Sequence, residues 1–199
     1  MRDLPALWAS PEWRDEAQEW IRGVAAAAGY TGIGAVEVAK QRFWSIVLRV
    51  PTDQGWLWFK ENAPSQSFEA ALVATLARLA PDAVPAVVAA DHERGWLLTA
   101  DLGSPLTGTD DPSVLADLAG RYAALQRSLF PHAALMRAAG VPAFDVGNAM
   151  AYAVALADHL AELPTTDGRH LDAAGRRAVD AGLSRLGDAL AALEASGIP

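Results

Sequence analysis

The chain has 199 residues, 52% of them hydrophobic, no cysteine and a formal net charge of −8. This composition allows a folded core and excludes disulfides, thiolate metal sites and cysteine nucleophiles. We expect a soluble cytoplasmic protein with no nucleic-acid and no membrane partner, because the sequence has neither a basic stripe nor a long apolar run or signal peptide.

The first predicted element is a leading helix over 11–28. Ser10 supplies a capping hydroxyl, Pro11 suits the first helical position, and Gly29 can end the helix. Apolar residues then recur at helical spacing and predict one buried face. They are Trp13, Trp20, Ile21 and Val24.

A β-rich region follows the leading helix. Residues 35–60 favour three antiparallel strands joined by turn-forming stretches, and 84–101 favour two more strands. Between them, 67–79 has helical periodicity, with Ser67 or Ser65 as its cap. The first half is therefore predicted to run βββαββ.

The character of the chain changes after Gly103, where PLTGTDDP forms a polar linker to an alanine-rich second half. Helices are expected from Asp111-Pro112, over about 145–163 and over about 172–195. The sequence thus predicts an α+β fold with a β-rich part over 1–102 and a helical part over 103–199.

One residue points to chemistry. The chain has only two lysines, and Lys60 ends an aromatic strand, GWLWFK, shortly before the helix that contains Glu69. A strand lysine fixed by a helix carboxylate can bind nucleotide phosphates. The alternative is a lysine that extends to solvent from a strand end, with Glu69 an early helix acid favoured by the helix dipole.

The sequence around this pair resembles a known family. The run WSIVLRVPTDQGWLWFKE, followed by SFEAALVATLARLAPDAVPAVVAADHERGWLLTADLG, is similar to the aminoglycoside phosphotransferase family of kinase-like small-molecule phosphotransferases. The resemblance implies a protein-kinase-like fold. Its N-lobe is a five-stranded antiparallel sheet with one packed helix and a leading helix, and its helical C-lobe is incomplete. It also implies ATP or GTP, with Mg²⁺, and a small-molecule hydroxyl as acceptor.

The resemblance assigns roles to eight residues. It makes Lys60 and Glu69 the phosphate-positioning pair and Ser45, in the turn between the first two strands, a contact to the β-phosphate. The hinge that receives the adenine edge would be the stretch Leu98, Thr99, Ala100, Asp101 and Leu102. A simple Asx-turn role for Asp101 stays open beside this one.

The catalytic part of the family pattern is missing from the sequence. Its HxDxxxxN loop is best imitated by HLDAAGRR, where Arg177 replaces the asparagine and Asp172 suits a helix cap. Asp145 of DVG resembles a metal-binding aspartate but precedes any catalytic loop, so it too is read as a cap. We predict no catalytic or metal-binding residue here and no phosphoryl transfer by this chain alone, which is either truncated or diverged.

Two other functions remain open. The chain can be a non-catalytic nucleotide-binding or interaction module, or a helical interaction protein whose β half only resembles a kinase lobe. If helices lack their packing partner, we expect an apolar face that is exposed or covered by a second copy in a homo-oligomer.

Overall fold

The computed structural model describes residues 3–103, 111–142 and 146–196. It is an α+β structure with one five-stranded antiparallel sheet of order β1-β2-β3-β5-β4. The predicted βββαββ order is confirmed. The strands are β1 (Glu37–Arg42), β2 (Ser45–Thr52), β3 (Gly55–Asn62), β4 (Val87–Asp91) and β5 (Trp96–Ala100).

The helices of the described residues agree with the predicted ones, except for two six-residue helices, Leu4–Ala9 and Ala133–Ala138, that the sequence did not predict. No helix in these ranges is long and apolar enough to cross a membrane. They are α1 (Leu4–Ala9), α2 (Pro11–Ala27), α3 (Glu69–Leu79), α4 (Pro112–Leu129), α5 (Ala133–Ala138), α6 (Val146–Glu162) and α7 (Ala173–Ala195).

The hydrophobic core lies between α2 and one face of the sheet. Phe59 is at its centre, fully buried, and pairs across the strands with Leu48 and Leu98. Its ring makes edge-on contacts with Trp20 and Trp96, at centroid distances of 5.8 and 5.5 Å. This aromatic packing fixes which face of the sheet is buried against α2.

Helix caps follow the predicted chemistry at three of four starts. The side chains of Ser10, Asp111 and Asp172 accept hydrogen bonds from the backbone of α2, α4 and α7. The cap predicted for α3 is wrong, because a 3₁₀ turn at Pro64–Gln66 precedes the helix. The Ser67 hydroxyl donates instead to the carbonyl of that turn's first residue, and no side chain caps α3.

The chain divides into two compact units, Met1–Val141 and Pro142–Pro199. In the second unit, α6 and α7 are joined by Arg176, whose guanidinium donates to the carboxylates of Asp158 and Asp180. The predicted boundary at 102/103 stays a prediction, since most of the linker lies outside the described residues, as does Asp145.

Helix α4 exposes several large apolar side chains. None of its residues is buried, and Leu115 and Tyr122 are 51% and 62% exposed. Phe130, directly after the helix, is 68% exposed. The expectation of an apolar face left by a missing packing partner, and of its coverage by a second copy of the chain, stays a prediction.

Truncating the central core ring tests this packing. We expect Phe59→Ala to lower the free energy of unfolding by about 3–5 kcal/mol, because it removes a buried ring and leaves a cavity. Phe43→Ala is the matched control, since Phe43 is 72% exposed, and its loss is expected to stay below about 1 kcal/mol. Urea unfolding followed by circular dichroism measures both, and equal losses would contradict the described core.

Candidate functional site

The end of β3 carries three consecutive polar residues with contacts on both faces of the sheet. Successive side chains of a strand point to opposite faces, so Lys60 and Asn62 share one face and Glu61 faces the other. The hydrogen bonds agree with this alternation. Lys60 and Asn62 both reach the Glu69 carboxylate of α3, whereas Glu61 lies on the α2 face.

Lys60 and Glu69 form a two-point ion pair. The ammonium Nζ lies 2.8 Å from Oε1 and 2.7 Å from Oε2 of Glu69. The geometric expectation for this pair is confirmed. About one third of each side chain remains exposed, 35% and 31%, so a ligand can reach the ammonium. Glu69 begins α3, where the helix dipole favours a negative charge.

Asn62 completes this network and was missed by the sequence reasoning. It is 6% exposed, and its amide Nδ2 donates to Glu69 Oε2 at 2.5 Å and to the Gln66 carbonyl at 3.4 Å. Glu69 is therefore held from two positions of the same strand. The two-residue spacing from Lys60 was a usable signal, but no motif drew attention to it.

Glu61 was also missed, and it anchors the opposite face. Its Oε2 accepts hydrogen bonds from the indole N–H groups of Trp13 and Trp96, both at 2.8 Å. Trp13 belongs to α2 and Trp96 begins β5. The residue next to Lys60 thus links its strand to the leading helix and to a neighbouring strand.

Ser45 lies on the face of the sheet that carries the pair, at the start of a strand and not in the turn, and its contact to a phosphate stays a prediction. It begins β2 directly after the β1–β2 turn and pairs with Asn62 of β3. Directly paired residues of antiparallel strands share a face, so Ser45 is on the same face as Lys60. It is 8% exposed and therefore buried.

The predicted hinge residues occupy different environments at the end of β5. Leu98 is fully buried in the core, whereas Thr99 pairs with Trp58 on the face of Lys60. The amides of Ala100 and Asp101 already donate to the carbonyls of Ala86 and Trp56, at 2.9 and 3.1 Å. Among the described residues, the next amide, that of Leu102, makes no hydrogen bond, and Leu102 is 72% exposed.

The Asp101 side chain orients an aromatic residue. Its Oδ1 accepts a hydrogen bond of 2.8 Å from the indole N–H of Trp58. Trp58 lies two residues before Lys60 and therefore on the same face. Asp101 thus holds a residue of β3 in place, and its role in a hinge stays a prediction.

The residues that imitate a catalytic loop have structural roles in the second unit. Asp172 caps α7 by accepting from the Gly175 amide at 2.7 Å. His170 Nδ1 lies 2.8 Å from the Leu163 carbonyl. Across 3–103, 111–142 and 146–196, no group of three histidine or acidic side chains is placed to hold a metal ion.

Comparisons with known proteins do not assign the chain to a family. No family model matches the chain, and a search of curated proteins finds no match.

A double-mutant cycle measures the strength of the central ion pair. For Lys60→Met and Glu69→Gln we expect a coupling free energy of about 1–2 kcal/mol, because the pair is charge-assisted and two-thirds shielded from solvent. The Arg49–Glu37 pair is the control; its side chains are 44% and 47% exposed, and its coupling should be below about 1 kcal/mol. Equal coupling in both pairs, measured by urea unfolding, would contradict a specially stabilised Lys60.

Proposed function

We propose that the chain binds a nucleoside triphosphate, ATP or GTP, through Lys60 and Glu69. In this proposal it is a relative of the kinase-like aminoglycoside phosphotransferases, whose acceptor is a small-molecule hydroxyl. The chain shown here binds the nucleotide without transferring its phosphate.

The observation that carries the proposal is the set of hydrogen bonds made by the Lys60 ammonium. A lysine has three N–H donors, and two of them are directed to the two oxygens of Glu69. Within the described residues Lys60 has no other partner, so one donor remains for a phosphate oxygen. Because the carboxylate fixes the ammonium before the ligand arrives, binding needs little reordering of the side chain.

The hinge region supports a site for the base. The Leu102 amide is free of hydrogen bonds among the described residues and is the first such donor after β5. Trp58, held by Asp101, lies on the same face as Lys60. A donor for the base edge, a flat aromatic side chain and a phosphate-binding cation therefore follow one another along neighbouring strands.

The proposal does not include catalysis of phosphoryl transfer by this chain. Phosphoryl transfer in kinase-like enzymes needs an aspartate near the attacking hydroxyl, together with an asparagine and an aspartate that bind Mg²⁺. The sequence lacks the HxDxxxxN loop that would provide them. When bound with the nucleotide, Mg²⁺ would neutralise part of the phosphate charge, and Lys60 would hold and orient the phosphates.

Titration calorimetry with Mg·ATP and Mg·GTP tests this function. We expect saturable binding of at least one nucleotide, and a loss of tenfold or more in affinity in Lys60→Met, because the phosphate-binding charge is removed. The double variant Lys60→Met/Glu69→Gln should lose as much affinity. It serves as a control because it leaves no unpaired carboxylate at position 69. Arg22→Ala, an exposed cation of α2, should bind like the wild type.

The same samples test the absence of turnover. Incubation with Mg·ATP and aminoglycosides should release no ADP above the level of a protein-free control. A wild type that binds neither nucleotide, or a Lys60→Met variant that binds unchanged, would contradict the proposed function. Turnover by the purified chain would contradict only the non-catalytic part.

A further inference from the structure

Both lysines of the chain lie in one row across the sheet. Lys40 of β1 pairs with Val47 of β2, and Val47 pairs with Lys60 of β3. Directly paired residues share a face, so Lys40 and Lys60 point to the same side. Their backbones are two inter-strand spacings apart, roughly 10 Å.

The neighbouring row adds a third cation to this side. Arg42 of β1 pairs with Ser45, and Ser45 pairs with Asn62. Since the Asn62 side chain reaches the same Glu69 carboxylate as Lys60, this row faces the same way. Lys40 and Arg42 are both exposed.

The charges on this face are unevenly matched. Glu37 binds Arg49, Glu69 binds Lys60, and the Asp101 carboxylate accepts from an indole. Lys40 and Arg42, by contrast, have no ion pair or hydrogen bond with another side chain in the described part of the chain. In a protein with a net charge of −8, two adjacent unmatched cations next to the Lys60 pair are a local excess of positive charge.

We propose that Lys40 and Arg42 bind the phosphate chain together with Lys60, so that the phosphates lie across β1, β2 and β3. The inference rests on the proposed function and adds the ligand class: a polyphosphate, preferred in the order triphosphate, diphosphate, monophosphate. Lysine suits this task because its charge is compact and its stem flexible, and arginine can bind two phosphate oxygens at once. Because Lys40 and Arg42 are exposed and have no carboxylate partner, a phosphate can bind them without first displacing a carboxylate.

Calorimetry with ATP, ADP, AMP and inorganic tripolyphosphate at constant ionic strength tests the inference. The double variant Lys40→Ala/Arg42→Ala should lose tenfold or more in ATP affinity and less than threefold in AMP affinity. The affinity for tripolyphosphate should fall in parallel with the affinity for ATP, because both ligands contact the protein through a chain of three phosphates. The control Arg14→Ala/Arg22→Ala removes the same number of positive charges, but from α2, which packs against the opposite face of the sheet. It should leave the order of affinities unchanged.

The outcomes separate the two proposals. If ATP binds and depends on Lys60, but Lys40→Ala/Arg42→Ala behaves like the α2 control, the inference is overturned and the proposed function stands. Equal losses for ATP and AMP also overturn it. Single-stranded DNA that displaces ATP and loses affinity in the same variant would assign the cations to a nucleic acid and overturn it. A wild type that binds no phosphate compound overturns both, provided that unfolding curves show every variant folded.

Discussion

The contact between Lys60 and Glu69 is the interaction on which the site depends. It joins the end of β3 to the start of α3, and Asn62 doubles the attachment from the same strand. Glu61, between these two residues, holds Trp13 and Trp96 on the other face. Because side chains alternate along a strand, three consecutive residues connect the sheet to two helices on opposite sides. The position of the ammonium therefore depends on how α2, α3 and β5 pack around β3.

The two faces of the sheet carry different kinds of side chain. The α2 face holds the aromatic and aliphatic core, including Phe59 and Leu98. The other face presents Lys60, Ser45 and the unmatched cations Lys40 and Arg42. The alternation of side chains thus gives one face buried against α2 and one face with partly exposed cations, although the protein as a whole is acidic.

The sequence predicted the features that depend on neighbouring residues. The caps at Ser10, Asp111 and Asp172 and the order of strands follow from local turn, capping and propensity rules. The α3 cap failed because proline-containing residues before the helix form a 3₁₀ turn, which competes for Ser67. Helices α1 and α5 were missed because six residues carry too little periodicity to be recognised.

Within the site, the sequence predicted only part of the hydrogen-bond network. The pairing of Lys60 with Glu69 could be predicted because both residues lie within the two runs that carry the family resemblance. The Glu61 contacts were not, since Trp13 and Trp96 are 48 and 35 residues away and meet it only through sheet order and helix packing. The shared row of Lys40 and Lys60 likewise needs the strand register, which shifts at an irregularity between Val38 and Lys40.

The most direct test of the account uses the small number of lysines. Protein labelled with ¹³C-lysine gives side-chain NMR signals from two residues only, and Lys60→Arg assigns the signal of Lys60. Titration with Mg·ATP should move the Lys60 Cε–Hε signal in a saturable way, while Glu69→Gln should weaken or abolish the shift. A Lys60 signal that stays unchanged at millimolar ATP would contradict the central claim that this ion pair forms a phosphate-binding site.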